Sequence, residues 1–356
     1  MRVLMTADNV GGVWRYALEL VDALAAEGVE VTLATTGAPL DRDQQAELSA
    51  CRAAMTEHRP FKLEWMDDPW DDVARAGQWL LDLRDRSLPD VVHLNGYAAA
   101  ALPWDVPRLV VGHSCVLSWF EAVRGKPAPA EWEPYRRAVA GGLAAADCLV
   151  APTRAMLAEL RRLYEPRCER LVIPNGCRPR TLPAPKQPFV LGAGRLWDDA
   201  KNAAALDRAA ARLPWPVLLG GAEGPPAAHA HVLGRLSSSE LADLLAAAAI
   251  FAAPARYEPF GLAALEAAQA GCALVLSDLA TFREVWGDAA LFVDPEDDEA
   301  LAAALLLLVE EEPLRRKLAE RARRRAARYT PQRMAAAYAD AYRALLAQEP
   351  ALEATG

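Results

Sequence analysis

Short apolar segments alternate with longer helical segments along most of the chain, and this alternation strongly limits how the chain can fold. The apolar segments are rich in Val, Leu and Ile, as buried strands of a parallel sheet are. The longer segments are rich in Ala, Leu and Arg, and their apolar residues recur at helical spacing. This pattern predicts an α/β fold with doubly wound, Rossmann-like sheets.

The predicted strands fall into two groups, separated by a proline-rich segment. Residues 180–188 read RTLPAPKQP and predict a linker, because proline fixes φ and removes a backbone donor. The first group of strands comprises Val3–Ala7, Val29–Ala34, Phe61–Trp65, Val91–Leu94, Leu109–Gly112, Cys148–Ala151 and Leu171–Ile173. The second comprises Phe189–Ala193, Val217–Gly220, Val232–Leu233, Ile250–Ala253, Ala273–Leu276 and Leu291–Val293.

The length of 356 residues suits two domains of ordinary size. We predict an N-terminal domain at 1–183, a C-terminal domain at 184–330 and a terminal segment at 331–356. From Asp298 to about Leu346 the pattern is helical, with one break near Tyr329–Pro331. Two doubly wound domains leave a cleft where the carboxyl ends of their sheets meet, and ligands are expected there.

Composition argues against several classes of protein. The net charge of −9 disfavours a nucleic-acid partner. The six cysteines occur singly, without a C-x-x-C pair, so we expect reduced thiols and no zinc framework. The first residues lack the long apolar stretch and the cleavage site of a signal peptide, so none is expected, and no apolar run reaches the ~18 residues of a membrane span. We therefore predict a cytoplasmic protein without a transmembrane span. Peripheral membrane contact and the oligomeric state stay open.

The sharpest motif is EPFGLAALE, which runs from Glu258 to Glu266. It follows the strand Ile250–Ala253 and opens a helix whose first N–H groups, near Phe260–Leu262, form an anion site. Gly261 would let a phosphate approach the backbone closely. The second glutamate lies about 7 Å further along the helix, so one carboxylate flanks each side of that site. Carboxylates accept strong hydrogen bonds from hydroxyls, and a nucleotide sugar places hydroxyls on both sides of its diphosphate.

This motif resembles the E-x7-E signature of family 4 of the retaining glycosyltransferases, which have the GT-B fold. The resemblance implies that Glu258 binds the donor sugar and Glu266 the ribose, with Phe260, Gly261 and Leu262 at the diphosphate. It further implies transfer of a hexose from a UDP- or GDP-linked donor, bound by the C-terminal domain, to an unidentified acceptor on the side of the N-terminal domain. The family's arrangement also implies that the helix in 331–356 packs back on the N-terminal domain. The mechanism implied is a metal-independent displacement on one face of the sugar, with no cofactor.

A second element carries two cations. Arg195 lies in the segment Gly192–Leu196, which ends the first predicted strand after the linker, and Lys201 follows in the next turn. Two such cations can neutralise a diphosphate without a metal, since arginine binds its oxygens geometrically and lysine acts as a point charge. The element resembles the family's G-R…K-[GN] pattern, which implies that both residues hold the diphosphate. The alternative is that both side chains face solvent.

Two positions in the first half follow predicted strands. The Gly-Gly loop after the first strand is not G-x-G-x-x-G, which disfavours a dinucleotide site. The family places such a loop near donor phosphates and acceptor, and Gly12 matches it best; a structural turn is the alternative. The family also places a histidine where His113 stands, beside the donor sugar. Its imidazole could bind a hydroxyl, stabilise the leaving group if charged, or bond a loop carbonyl. His93 is expected to be structural or to line the cleft.

Weaker matches lie elsewhere. The turn at 232–237 resembles the family's base-binding turn, where backbone groups near Leu236 contact the nucleobase. Asn175-Gly176 is interpreted as an architectural turn. The segment 40–90 matches nothing in the family, and its Trp65, Trp70 and Trp79 favour a packing role over acceptor recognition.

Metal ligation is disfavoured. The acidic pairs and His229-Ala230-His231 lie in polar loops, so solvated side chains are expected and no metal site is predicted. The acidic pairs are Asp67-Asp68, Asp71-Asp72, Asp198-Asp199 and Asp297-Asp298.

Other functions stay open for such a fold. A nucleotide-sugar 2-epimerase and a noncatalytic nucleotide-sugar-binding protein are the alternatives that we retain. A glycosidase would need its two carboxylates about 5–9 Å apart around the scissile bond, and the adjacent cations favour a phosphate leaving group instead.

Overall fold

Parallel strands form the sheet of the N-terminal domain, and helices cover both of its faces. The computed structural model describes residues 1–180, 184–222, 224 and 226–347. The strands of this sheet are β1 (Arg2–Asp8), β2 (Glu30–Thr36), β3 (Met55–Arg59), β4 (Val91–Leu94), β5 (Arg108–Val111), β6 (Cys148–Ala151) and β7 (Glu169–Val172). The helices are α1 (Gly12–Ala26), α2 (Arg42–Ala50), α3 (Trp70–Ser87), α4 (Val116–Arg124), α5 (Glu133–Ala145) and α6 (Arg154–Tyr164).

A second parallel sheet forms the C-terminal domain, again with apolar clusters on both faces. Its strands are β8 (Gln187–Ala193), β9 (Val217–Gly220), β10 (His231–Gly234), β11 (Ala248–Ala253), β12 (Ala273–Ser277) and β13 (Leu291–Val293). The helices of the second half are α7 (Ala203–Ala210), α8 (Ser238–Ala247), α9 (Leu262–Gln269), α10 (Ala280–Trp286), α11 (Asp298–Glu310), α12 (Glu312–Ala326) and α13 (Pro331–Ala347). The predicted fold class, two Rossmann-like α/β domains, is confirmed.

Each sheet reverses its direction of winding once. The strand orders are β3-β2-β1-β4-β5-β6-β7 and β10-β9-β8-β11-β12-β13. The reversal therefore falls between β1 and β4 in the first sheet and between β8 and β11 in the second. Loops at the carboxyl ends of such strands splay apart and leave a crevice for ligands. The loops after β1, β4, β8 and β11 are thus the ones that the topology makes available to a site.

One predicted strand is wrong. The sequence suggested Phe61–Trp65, whereas the structure has β3 at Met55–Arg59, paired with β2 alone at the sheet edge. An edge strand can be polar, and MTEHR gives no apolar run. Pro60 then ends the strand, since proline cannot donate to the ladder. Phe61 instead packs against Trp79, with ring centroids 6.1 Å apart.

The helical segment at the C-terminus has more breaks than predicted. It is divided at Glu311 as well as before Pro331, because Pro313 suits only the first turn of a helix. Helix α13 packs against α1 in the core of the N-terminal domain. The predicted domain boundary at 183/184 adjoins residues 181–183, which lie outside the described residues. Residues 348–356 of the predicted terminal segment lie outside them as well.

The turn at Asn175-Gly176 lies where α13 begins. A Cβ on Gly176 would lie 2.3 Å from the carbonyl oxygen of Thr330, so only glycine allows this approach. The architectural interpretation of this turn therefore agrees with its packing.

Two further properties concern the whole described part of the chain. None of its helices combines the length and the apolar character needed to cross a membrane. All six cysteines are free thiols.

Helix α5 offers a matched test of this packing. Gly142 is buried, and a Cβ there would lie 2.0 Å from the Tyr97 carbonyl oxygen, whereas a Cβ on Gly141 would meet no atom within 4 Å. We predict that Gly142→Ala lowers the free energy of unfolding by about 1–3 kcal/mol through overpacking. Gly141→Ala should raise it by about 0.5–1 kcal/mol, because alanine is the better helix former. Urea unfolding of both variants measures this, and equal effects would contradict the packing described.

Candidate active site

Arg195 follows β8 at the switch point and reaches toward the other domain. Its Nη2 lies 2.9 Å from Asp198 Oδ2, and its guanidinium carbon lies 5.5 Å from the centre of the Trp197 ring. Its Nη1 lies 3.6 Å from where a Cβ on Gly11 would be. The guanidinium is therefore held against the glycine loop that follows β1.

Lys201 and Glu258 form an ion pair at the start of α9. The Lys201 Nζ lies 2.6 Å from Glu258 Oε2, and the Gly261 N–H donates to Glu258 Oε1 at 3.1 Å. Thr281 Oγ1 donates to the Glu258 carbonyl at 2.6 Å and braces the loop. Gly261 has φ 91°, and a Cβ there would lie 2.6 Å from the Phe282 ring, so glycine is required twice over.

Two helices begin face to face at this point. The cap residues of α1 and α9 are Gly11 and Gly261, which have no side chain to accept from the first N–H groups of either helix. Their first residues meet, since a Cβ on Gly12 would touch Leu262 at 3.4 Å. Uncapped N–H groups and the positive ends of both helix dipoles therefore face the same gap, beside Arg195. Such an arrangement attracts an anion.

Glu266 lies inside the cleft, between an arginine of the N-terminal domain and the first residue of the predicted linker. Its Oε1 lies 3.7 Å from Arg15 Nε and 3.8 Å from Arg180 Nε. Burial raises the pKa of Glu266 to about 7, although the Arg15 charge opposes this. Glu266 also borders an open recess between α8 and α9. The recess is lined by Arg180, Ser238, Leu241, Ala242, Leu245, Glu266, Gln269 and Ala270.

Two of the predicted binding residues have side chains that pack against the C-terminal domain. Leu236 does not line this recess, because its side chain packs over Gly220, 2.6 Å from where a Cβ would be. Phe260 is buried against Tyr329, with ring centroids 5.6 Å apart. Phe260 therefore has only its backbone left to meet a ligand, whereas Leu236 is half-buried and turns its side chain toward Gly220.

His113 is a neutral hydrogen-bonding group. Its Nε2 lies 2.7 Å from Asn95 Oδ1, and the Asn95 Nδ2 donates to the Thr6 carbonyl at 2.6 Å. This second bond fixes the amide orientation, so His113 Nε2 donates and Nδ1 keeps its lone pair. Burial lowers the pKa of His113 to about 3. This low pKa favours a hydrogen bond from a neutral His113 over leaving-group stabilisation by a charged one, and the bond seen is to a side chain, not to a loop carbonyl.

His93 is structural. It is fully buried, and its Nδ1 lies 2.5 Å from the Tyr342 hydroxyl of α13. Its Nε2 lies 3.2 Å from the Tyr16 hydroxyl. This histidine links α13 to the core of the N-terminal domain.

Comparison with known proteins gives this geometry its context. Residues 10–180 match the model described as Glycosyltransferase Family 4, and residues 225–325 match the model Glycosyl transferases group 1. The D-inositol 3-phosphate glycosyltransferase of Xylanimonas cellulosilytica is 30% identical, over 96% of this chain and 94% of that protein. The chain belongs to the family 4 glycosyltransferases. It is an enzyme of that class.

Solved glycosyltransferase structures share the GT-B fold of this enzyme. Sucrose-phosphate synthase from Thermosynechococcus elongatus superposes with a TM-score of 0.82 at 21% identity, over 98% of this chain and 100% of that one. The Anabaena protein Alr3699/HepE, in complex with UDP and glucose, gives a TM-score of 0.74 at 16% identity, over 97% and 100% of the two chains.

The structure of the glycosyltransferase adds two acidic residues to the site. Asp8 ends β1, accepts from the Val10 N–H at 2.8 Å, and has a pKa raised by burial to about 7. The rule that ligands meet the carboxyl ends of strands could have found it in the sequence. Asp198 was expected to be solvated, and this is wrong, since it is buried and bonded to Arg195. Trp119 of the other domain covers it, a contact that no local pattern reveals.

The remaining sequence candidates lie away from this cluster. His229 and His231 are exposed, as expected. Trp79 is buried, and Trp65 and Trp70 pack partly buried against the same core. No group of three or more metal-capable side chains converges within the described ranges.

The raised pKa of Glu266 predicts a pH-dependent stability. Between its ordinary value of 4.5 and about 7, the folded enzyme holds a proton that the unfolded chain releases. The unfolding free energy contributed by this group therefore falls as pH rises through that window. Relative to the wild type, Glu266→Gln should gain about 1–3 kcal/mol between pH 5 and pH 8, measured by urea unfolding.

Glu133→Gln is the control, because Arg136 holds the pKa of Glu133 below its usual range and it titrates below this window. A constant difference between the wild type and Glu266→Gln from pH 5 to pH 8 would contradict the burial of Glu266.

Proposed function

We propose that this glycosyltransferase moves a hexose from a UDP- or GDP-linked donor to an acceptor hydroxyl, with retention at the anomeric carbon and without a metal ion. One observation carries the proposal: the uncapped starts of α1 and α9 face one another, with Arg195 and Lys201 beside the gap. A diphosphate suits that gap, because amide groups, helix dipoles and two cations all favour a compact polyanion.

Donor binding would rearrange the Lys201–Glu258 pair. A phosphate oxygen entering at the start of α9 competes with Glu258 for the lysine, which lies 2.6 Å from that carboxylate. The released carboxylate can then accept hydrogen bonds from the sugar hydroxyls. Arg195 keeps its contact with Asp198 and offers its remaining N–H groups to the diphosphate. Glu258 thus binds the sugar, while Arg195 and Lys201 bind the diphosphate leaving group.

The nucleoside would extend toward Glu266. Its carboxyl group borders the recess between α8 and α9, and ribose hydroxyls can bond to it there. The turn that contains Leu236 leads into α8, whose Ser238 lines the same recess, so backbone groups of that turn lie on the side of the base. The complexes of Alr3699/HepE with UDP and with UDP-glucose support a nucleotide-linked donor for this fold.

The chemistry would then be a displacement on one face of the sugar. The bond between the anomeric carbon and the diphosphate oxygen breaks, and the acceptor oxygen bonds to that carbon from the same side. The acceptor proton passes to the departing diphosphate oxygen, so that no protein base is needed. The protein positions the reactants and stabilises the charge that develops on the leaving group. Neutral His113 would orient a sugar hydroxyl through its free Nδ1.

Unpaired cysteines fit the cytoplasmic location predicted from the sequence, which stays part of this proposal.

We predict that Glu258→Ala and Arg195→Ala each lower the rate of transfer by about 10²–10³ while leaving the fold intact, since each removes a group aimed at the reacting diphosphate sugar. Release of nucleoside diphosphate from UDP-glucose and GDP-mannose, with a pool of sugar and polyol acceptors, measures the rate. Circular dichroism checks the fold. Arg283→Ala is the matched control, because Arg283 pairs with Asp278 at the surface of the same domain. Full activity of either site variant would refute the assignment.

The same assay tests the mechanism. Activity should survive EDTA, and NMR of the product should show the donor's anomeric configuration. Strict dependence on Mn²⁺ or Mg²⁺, or an inverted product, would contradict the mechanism. Conversion of the donor to its 2-epimer without acceptor would identify an epimerase. A donor that raises the melting temperature and never turns over would identify a binding protein.

A further inference from the structure

Helix α4 of the N-terminal domain touches the C-terminal domain through two neighbouring residues, Ser118 and Trp119. The helix begins shortly after His113, so it belongs to the same segment as that sugar-side histidine. Ser118 bonds to Tyr257, which precedes Glu258 in the sequence, and Trp119 bonds to Asp198, which binds Arg195. The two contacts reach different parts of the donor site.

The first contact fixes the chain beside Glu258. The hydroxyl of Tyr257 lies 2.9 Å from Ser118 Oγ and accepts from the Cys115 N–H at 3.0 Å. Ser118 is fully buried, and its Oγ also donates to the Cys115 carbonyl at 3.0 Å. The Tyr257 hydroxyl shares a hydrogen bond with Ser118, in which either oxygen can donate, and it also lies 3.6 Å from Met156 Sδ. Burial raises the pKa of Tyr257, so the hydroxyl keeps its proton. Tyr257 is thus held by the N-terminal domain, and Glu258 is the next residue.

The second contact fixes Arg195. The indole Nε1 of Trp119 donates to Asp198 Oδ1 at 3.1 Å, and the Ala200 N–H donates to the same oxygen at 3.0 Å. The other oxygen, Oδ2, accepts from Arg195 at 2.9 Å. Asp198 is buried, and these three hydrogen bonds hold both of its carboxylate oxygens within the cluster. The orientation of the arginine therefore depends, through Asp198, on an indole of the opposite domain.

We propose that Ser118 and Trp119 are positioning residues through which closure of the cleft assembles the donor site: Trp119 orients the diphosphate-binding Arg195 through Asp198, and Ser118 orients the sugar-binding Glu258 through Tyr257. The inference rests on the proposed function of Arg195 and Glu258. Neither α4 residue touches the donor. When the cleft opens, both hydrogen bonds are lost, and the two binding groups lose their fixed orientation.

A third bridge in the same region supplies a control. Arg124, at the end of α4, pairs with Asp199 at 2.7 Å, and both side chains are about half exposed, at 44% and 55%. Exposed pairs of this kind contribute little. Arg124 also stacks over the Trp119 ring, with its guanidinium carbon 5.2 Å from the ring centre. Arg124→Gln therefore removes the bridge and this stacking, while the hydrogen bonds of Trp119 Nε1 and Tyr257 stay in place.

The test separates the two contacts by measuring affinities for uridine, UDP and UDP-glucose by calorimetry. Guanosine, GDP and GDP-mannose replace them if the enzyme prefers guanine. Trp119→Phe should weaken UDP binding about three- to tenfold and leave uridine unchanged, since it removes one donor to a charged group. In an Arg195→Ala background the same change should have less than about a twofold effect.

Ser118→Ala and Tyr257→Phe should leave UDP affinity unchanged and lower the ratio of UDP-glucose affinity to UDP affinity by about three- to tenfold. Using both variants guards against one that folds poorly. Arg124→Gln should behave as the wild type for all three ligands.

Several results would overturn the inference. One is a Trp119→Phe variant that binds uridine and UDP with equally reduced affinity, and another is a Trp119→Phe variant with unchanged UDP affinity. A third is a loss of UDP affinity in Arg124→Gln as large as that in Trp119→Phe. A loss of UDP affinity in Ser118→Ala equal to its loss for UDP-glucose would do so too. A wild-type enzyme that bound no nucleoside diphosphate would instead contradict the proposed function itself.

Discussion

The meeting of two uncapped helix starts is the feature on which the site depends. Helices α1 and α9 belong to different domains, yet their first residues touch and their free N–H groups share one gap. Positive ends of two dipoles repel one another across such a gap, and Arg195 and Lys201 add further positive charge. An anion relieves this repulsion. The acidic groups Asp198 and Glu258, bonded to these cations, supply part of that compensation in the unliganded enzyme.

The topology explains why these elements meet. Each parallel sheet reverses its winding once, and the loops after β1, β8 and β11 leave from those points. Because the two domains face each other with these sheet edges, the strand topology alone places the glycine loop after β1 opposite Arg195. Side chains then refine the arrangement. Burial keeps His113 neutral and raises the pKa values of Asp8 and Glu266, so much of the cleft wall can bond to hydroxyls without carrying full charge.

The sequence predicted what is local and missed what crosses the cleft. Strand periodicity and the Gly-containing helix start specify the fold, and they place Glu258 beside Gly261, because that geometry depends on neighbours in the chain. The edge strand β3 escaped detection, since an edge needs no apolar run. Asp198 was misjudged because its burial comes from Trp119, 79 residues away in sequence. Contacts between domains leave no periodic pattern in the sequence, so the contacts of α4 with the C-terminal domain are visible only in the three-dimensional structure.

A crystal structure of the enzyme with UDP or GDP tests the central claim most directly. The diphosphate should lie between the starts of α1 and α9, with oxygens about 3 Å from Arg195, Lys201 and the Leu262 N–H group. The Lys201–Glu258 pair should then be separated, with the carboxylate turned to the place of the sugar. A diphosphate bound elsewhere, or one that left both cations without a phosphate contact, would contradict the account.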